Sequence, residues 1–268
     1  MLNDNFSLDT KSIHRLSSKG LSLPTLKQLL GDDIDLNLEL WRAQGLNLVK
    51  HRGYYYFDTK FIDIKDATFC IVDIEANGSS VDKHQIIEIA AIKYKNGQIL
   101  DKYESLVKCK EINEHIVELT GIHAKDTKDA PTLKEVLYKF KEFIGNDIFI
   151  AHDVKFDYKF ISKSLVKIGL EPLLNRYLCS LDLAQRSIVS YRYGLSYLND
   201  TFKLNPNPSH HRAMSDVITT TALFEKSLEA LDKDVKTVED LIRFSKHAKM
   251  LKRPRIDPFL SINSCGDN

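Results

Sequence analysis

Cysteine is scarce in this chain, and its placement excludes more than its number does. Cys70, Cys109, Cys179 and Cys265 stand too far apart for CxxC metal pairs, and they suggest no disulfide framework. A charge excess is missing as well. Lys and Arg total 38 against 37 Asp and Glu, a formal charge of +1, so no global basic field is available to hold long duplex nucleic acid. Local grip on a strand end stays open. No apolar run approaches the roughly 20 residues that a membrane span needs, and no apolar stretch follows Met1 as it would in a secretory leader. Internal repeats and low-complexity tracts are absent too. These absences lead to the expectation of a reduced, cytoplasmic setting with no membrane partner.

What is present is enough apolar material for a core: 43% of 268 residues, room for one full-sized domain and a smaller appendage. Residues 1–64 differ in character from the rest. Leu23-Pro24 opens a predicted helix to Leu30, and a second is predicted over Leu36 to Gln44. Leu46 to Val49 and Tyr54 to Phe57 flank a turn at Arg52-Gly53. Two helices and a hairpin resemble a small winged-helix unit. With no basic recognition helix in view, a packing or partner-docking role is expected ahead of nucleic-acid readout.

Residues 65–232 read as the main domain. Phe69 to Ile74 is apolar and rich in β-branched residues, the pattern of a strand buried on both faces. Ile86 to Tyr94 and Ile99 to Val107 follow as strands joined by a tight turn at Asn96-Gly97. A helix is predicted over Thr132 to Phe143, a strand over Ile148 to Ala151, and a long helix from Asp153 to Ile168. Arg176 to Cys179 is a fifth strand. Helices over Leu181 to Ile188, Leu195 to Phe202 and His211 to Leu231 complete the pattern, the last after a flexible loop at 205–209. The expected fold is α/β, a mixed five-stranded sheet flanked by helices. Residues 233–268 offer a solvated helix from Val238 to Met250 and then a flexible tail, whose PRIDPFL segment is a candidate partner contact.

Five residues stand out chemically. Asp73 and Glu75, two apart on the central strand, project to one side; alone, they would equally fit exposed acids at a strand end. Asp157 shares its helical stripe with Phe160, Ile161 and Leu165, so it faces the sheet unless it is solvated at the helix start. A buried, unpaired carboxylate is costly and calls for a cation, a hydrogen-bond cage or a raised pKa. Asp216 repeats the pattern beside Ala213, Val217, Leu223 and Phe224. Four acids from three elements suit hard divalent cations, Mg²⁺ or Mn²⁺. Two such ions can polarise a phosphodiester and steady its leaving oxygen. His211, at the mouth of the Asp216 helix, is a candidate general base, with His210 as its neighbouring rival; by itself His211 would also pass for an ordinary loop histidine.

DIE then NG at 73–78, AHDVKFDYKF at 151–160 and HRAMSD at 211–216, in this order, resemble the three motifs of the DEDDh branch of 3′ to 5′ exonucleases. That family holds the proofreading epsilon subunit of bacterial DNA polymerase III, oligoribonuclease and RNase T. IIEIAAIKY, LTGIHAKD and APTL fit it as well, so the likeness spans about residues 68–230. The resemblance implies a ribonuclease-H-like fold and two ions, Mg²⁺ or Mn²⁺, on Asp73, Glu75, Asp157 and Asp216. It further implies His211 as base and release of nucleoside 5′-monophosphates from a 3′ end. Ala76, Asn77, Gly78, Ile122, His123, His152 and Phe156 fall at substrate-contact positions. Phe156 is a candidate base wedge or a core aromatic, and Lys155 and Arg212 are phosphate contacts or ordinary solvated charges.

Two residues depart from the family pattern. Ala76 replaces the usual Thr and removes a side-chain contact to the terminal nucleotide. Asp153 replaces the usual Asn, either adding an acid to the site or capping the helix it opens. The implied substrate is the 3′ end of single-stranded or frayed DNA, with a DNA polymerase III catalytic subunit or clamp as partner. RNA as substrate, and an inactive nucleic-acid-binding scaffold, are the alternatives.

Overall fold

The computed structural model describes residues 8–209 and 211–257. The N-terminal unit begins with a helix that the sequence reading did not anticipate, α1 (Thr10–Ser17), started by the Asp9 side chain, which accepts from the Ser12 N–H. Then come β1 (Leu21–Ser22), α2 (Leu23–Leu30), α3 (Ile34–Ala43), β2 (Leu48–His51) and β3 (Tyr54–Phe57). The strands form a three-stranded sheet in the order β1-β3-β2. Arg52 and Gly53 take positive φ at the predicted turn, as a two-residue hairpin requires. Leu16, Leu21, Leu26, Trp41 and Phe57 fill a small core of its own.

The larger sheet runs β6-β5-β4-β7-β8. β4 (Phe69–Ala76) takes the centre because it is apolar toward both layers: Cys70, Val72 and Ile74 face one, Phe69 and Ile71 the other. β5 (Ile86–Lys95) and β6 (Gln98–Leu106) continue the meander antiparallel through the Asn96-Gly97 turn. Two short helices follow, α4 (Glu114–Thr120) and α5 (Ala124–Thr127), in a stretch to which the sequence reading assigned no element. Next comes α6 (Leu133–Ile144), opened by a Thr132/Glu135 capping box. β7 (Ile148–Ala151) and β8 (Tyr177–Cys179) add parallel strands, separated by α7 (Val154–Lys167). The chain closes with α8 (Ser180–Ser187), α9 (Leu195–Phe202), α10 (Ala213–Glu229) and α11 (Val238–His247).

Helices α6 and α7 cover one face of this sheet through Val136, Phe140, Ile161 and Leu165. The other face is covered by α10 and α11, where the Phe224 ring lies 4.9 Å from Phe69. The C-terminal helix is therefore not the solvated element its charges suggested. Val238, Leu241 and Ile242, at i, i+3 and i+4, bury a stripe that the charge count obscured. It also ends at His247 rather than Met250. Beyond it, residues 248–257 are tied down instead of loose: the Leu251 N–H donates to the Gln185 carbonyl at 2.9 Å, and the Tyr197 hydroxyl to Asp257 at 2.7 Å. Pro258, Phe259 and Leu260 of the PRIDPFL segment, together with Cys265 and His210, lie outside the described residues.

The small unit docks where β8 begins. Arg176 forks onto Glu239 of α11 (2.7 and 2.9 Å) and lies 4.1 Å from the centre of the Phe57 ring, while Thr59 donates to the same Glu239. Among the described residues no helix is long and apolar enough to cross a membrane. For the site, the decisive detail is that β7 pairs with β4 only as far as Ile71. β4 runs on past its parallel neighbour, and its free flank is open to side chains from the helices.

Candidate active site

Along that free stretch Asp73 and Glu75 share the face of Phe69 and Ile71, toward α10. Glu75 stands directly across from Glu88 of β5, a like-charge pairing that destabilises a sheet unless answered. Arg212 answers it. Its Nε and Nη2 donate to the Glu88 carboxylate at 3.2 and 2.8 Å, and the Ala213 N–H adds a third bond at 2.9 Å. Glu88 is 1% exposed. It thus anchors the first turn of α10, the turn that carries Asp216 and the approach to His211.

His211 has φ of 59°, and its N–H donates to the Asp216 carboxylate at 3.1 Å. The preceding loop, expected to swing freely, is instead tied to α10: the Ser209 N–H donates to the Ser215 hydroxyl, and Asn205 donates to Ser215 and Thr219. Asp157 arrives from the opposite layer. Fixed in the first turn of α7 and 4% exposed, it accepts the Ile74 N–H at 3.2 Å, a donor that β7 is too short to engage.

The four acids predicted from sequence are brought together, and their electrostatics show it. Burial holds the Asp73 carboxyl well above the usual range, and the charges of Asp157, Glu75, Asp216 and Glu88 add to the shift. Glu75 is pushed up to about 8 by burial and then by Asp216, Glu88 and Asp157, with Arg212 opposing. Burial takes Asp157 up to about 7, against the lowering effect of the Ile74 N–H. Such crowding disfavours the ionised state unless positive charge enters. Donor atoms of Glu75, His211 and Asp216 lie within 4.8 Å of one another, and a carboxylate-rich set with one imidazole fits a hard divalent cation. Asp153 occupies the N-cap position of α7 with φ of 69° but makes no side-chain cap, contrary to the capping expectation; its charge instead reaches Asp157.

Other residues proposed as contacts are placed variously. Phe156 is 41% exposed and therefore not a core aromatic, with its ring 5.5 Å from Phe160. Lys155 and His123 are exposed at the starts of α7 and α5, and the His123 N–H donates to Asp126. Ala76 sits at a bulge beside Glu75 and packs on the core. Asn77 binds the 109–113 loop, donating to the Glu111 carbonyl at 2.7 Å and accepting from the Asn113 N–H at 2.8 Å. Gly78 has φ of 136°, and a Cβ there would meet the His84 ring at 2.6 Å, so only glycine fits the turn.

Three residues are not brought to the carboxylates as open contacts. Ile122 is 2% exposed, packed with Ile87 and Cys109. His152 has both ring nitrogens engaged, Nε2 with the Tyr193 carbonyl at 2.9 Å and Nδ1 with the Ser180 hydroxyl at 3.0 Å, and burial lowers its pKa. Arg212 is neither a free phosphate contact nor an ordinary solvated charge, because Glu88 takes it.

Glu88 is the residue that sequence reasoning missed. Its signal was a lone acid inside an apolar strand, Ile86 to Ala91, where an unpaired charge is not tolerated. Removing its partner tests the anchor. Arg212→Ala leaves a buried carboxylate facing Glu75, an expected loss of about 3 kcal/mol, the low end for orphaned buried charges because Arg212 itself is 44% exposed. Glu88→Gln/Arg212→Ala is expected to restore part of it. Urea denaturation measures both, and a double variant no more stable than the single one would contradict the anchoring role.

The exonuclease family model matches residues 70–224. Among curated proteins, the chain is 36% identical over 171 residues to the DNA polymerase III PolC-type of Staphylococcus haemolyticus, and 36% identical over 170 residues to that of Staphylococcus aureus. Each match takes in 63% of this chain and 12% of the relative, so the chain spans about an eighth of these much longer proteins. Among solved structures, exonuclease X in complex with 5′ overhanging duplex DNA aligns with a TM-score of 0.52 at 24% identity, over 66% of this chain and 99% of that one. E. coli exonuclease I in complex with a dA16 oligonucleotide aligns with a TM-score of 0.53 at 16% identity, over 61% of this chain and 41% of that one. The shared fold is the ribonuclease-H-like mixed sheet.

Proposed function

The chain belongs to the exonuclease family, and from that premise we propose that it is a divalent-metal-dependent 3′ to 5′ exonuclease releasing nucleoside 5′-monophosphates from single-stranded or frayed DNA ends. The observation that carries this reading is the convergence of Asp73, Glu75, Asp157 and Asp216 on the unpaired flank of β4, with His211 tied to the last of them. Two Mg²⁺ or Mn²⁺ ions on these carboxylates would supply Lewis-acid charge at the scissile phosphate and lower the pKa of the attacking water. His211 accepts that water's proton at an imidazole nitrogen. Water oxygen bonds to phosphorus as the P–O3′ bond breaks, leaving a 5′-phosphate on the departing nucleotide. The exposed Phe156 ring offers stacking surface to the terminal bases. DNA is favoured as substrate by the likeness to PolC-type polymerases, which also supports a proofreading role beside a DNA polymerase III.

End-labelled DNA and RNA oligomers assayed side by side test the reading. Stepwise loss from the 3′ end of DNA in Mg²⁺ or Mn²⁺, stopped by EDTA, is expected. Cleavage from the 5′ end, or hydrolysis indifferent to EDTA, would defeat it; faster loss from RNA would make the chain an exoribonuclease.

Metal removal has a further consequence with a definite sign. Without ions Glu75 titrates at about 8 and Asp157 at about 7, whereas the unfolded chain returns both to about 4. The fold therefore binds more protons than the unfolded chain across that interval and loses stability as pH rises through it. Ionised carboxylates are the form that ions hold. The gain in melting temperature on adding Mg²⁺ should accordingly grow from about pH 5 to about pH 8. Melting curves in EDTA and in Mg²⁺ check this, and a pH-independent gain would count against it.

A further inference from the structure

The N-terminal unit carries chemistry that the exonuclease reading does not use. Residues 10–31 hold four Lys or Arg and residues 40–57 three, and neither segment contains a single Asp or Glu. Between residues 10 and 57 the acids are confined to 32–39, the stretch that opens and forms α3; Asp9 and Asp58 flank the span, Asp9 capping α1 and Asp58 accepting from the Asn47 amide. Around the β2–β3 hairpin this one-signed charge meets aromatic surface. On β3, Tyr55 and Phe57 face the small core, so Tyr54 and Tyr56 face outward. Tyr54 lies across from His51, and the His51 ring stands 5.1 Å from Phe61, which stands 5.5 Å from Tyr56. Tyr54 and Phe61 are each 45% exposed.

The face is built rather than incidental. Gly20 passes beneath it with φ of 81°, where a Cβ would meet the Tyr56 ring at 2.6 Å. The Tyr56 hydroxyl donates to the Lys19 carbonyl, and Lys60 Nζ lies 5.5 Å from the Tyr56 ring. Arg52 sits at the hairpin tip between His51 and Tyr54. Among the described residues, Lys19, Arg52 and Lys60 have no carboxylate within ion-pair distance. Lys60 Nζ is held by the Ser18 carbonyl at 2.8 Å, which leaves Lys19 and Arg52 as the open cations. Exposed rings beside cations that no carboxylate neutralises match a strand of unpaired bases, whose faces stack and whose phosphates need counter-charge. A packing surface would have neutralised or covered them.

We propose that this outer face of the small sheet is a second binding surface for single-stranded nucleic acid, separate from the carboxylate site. Bases stack on Tyr54, His51 and Phe61, and Arg52 and Lys19 meet phosphates, with Lys60 adding positive charge beside them. The unit docks at the start of β8, whereas Asp73 and Glu75 lie toward the far end of β4; these strands lie in one parallel set in which Arg176 is level with Phe69, so the carboxylates stand roughly 13 to 20 Å further along the strand direction. A dinucleotide in the carboxylate site therefore does not reach the sheet face, while a long strand can engage both.

Fluorescence anisotropy of labelled oligothymidylate with the full chain in EDTA tests this without relying on the exonuclease reading, since binding is read in the absence of hydrolysis. Tyr54→Ala is expected to weaken binding on the order of tenfold, and Tyr54→Phe, which keeps the ring, to leave it near the original. Arg52→Asn, chosen because Asn tolerates the positive φ at that position, should weaken binding and flatten its salt dependence. Unchanged affinity and salt slope in folded Tyr54→Ala and Arg52→Asn would overturn the proposal. So would losses seen only with anionic phospholipid vesicles and not with the oligonucleotide.

Discussion

Asp157→Asn is expected to lower mononucleotide release by about a thousandfold or more while leaving the metal-free protein as stable as before, or more so. The two halves of this result come from the two oxygens of one side chain. One accepts the Ile74 N–H where β7 has ended, and asparagine keeps a carbonyl oxygen to do the same. What asparagine removes is a negative charge from a cluster in which burial and neighbouring acids already resist ionisation. Metal-free stability therefore does not suffer, and metal affinity does. Asp157→Ala separates the roles, since it also orphans a buried N–H at a further cost of about 1–3 kcal/mol. Activity assays with thermal melts in EDTA check both variants. A stable Asp157→Asn protein that still degrades DNA at the original rate would remove Asp157 from the ligand set.

Much of this arrangement was legible in the residues because each site acid breaks a pattern. Asp73 and Glu75 interrupt a strand otherwise apolar on both faces, Asp157 occupies the buried stripe of its helix, and the half-buried Asp216 borders that of its own. Long, strongly periodic elements fixed the sheet: all five strands and the helices at 133–144, 154–167 and 213–229 fall within a few residues of expectation. What stayed hidden was decided by tertiary partners. The two-residue β1 exists only because it pairs with β3, and α4 and α5 are too short to show a period. α11 looked solvated because its charged face dominates its composition, whereas three apolar residues decide where it packs. The same holds at the site. Arg212 reads as a cation near a phosphate, and only the register of β5 against β4 reveals that Glu88 needs it.

The sequence could not show how tightly the His211 segment is held, and that bears on the last expected result. His211→Asn should lower turnover by about a hundredfold to ten-thousandfold, the range for loss of a general base, with little change in melting temperature. Three features isolate the imidazole in this substitution. The backbone N–H that binds Asp216 is retained. Asparagine accepts the left-handed conformation at φ of 59°, where a β-branched residue would be strained. The loop is fixed by Ser209, Asn205 and Ser215 rather than by the His211 ring. A drop in rate with fold and Mg²⁺-induced stabilisation largely preserved would assign the proton transfer to His211. If the variant instead lost its Mg²⁺-induced stabilisation, the imidazole nitrogen near Glu75 and Asp216 would be a metal ligand, and the base would have to be sought elsewhere. Single-turnover rates on a labelled oligonucleotide, measured beside the Mg²⁺ melting shift, distinguish the two because only ligand loss moves the shift.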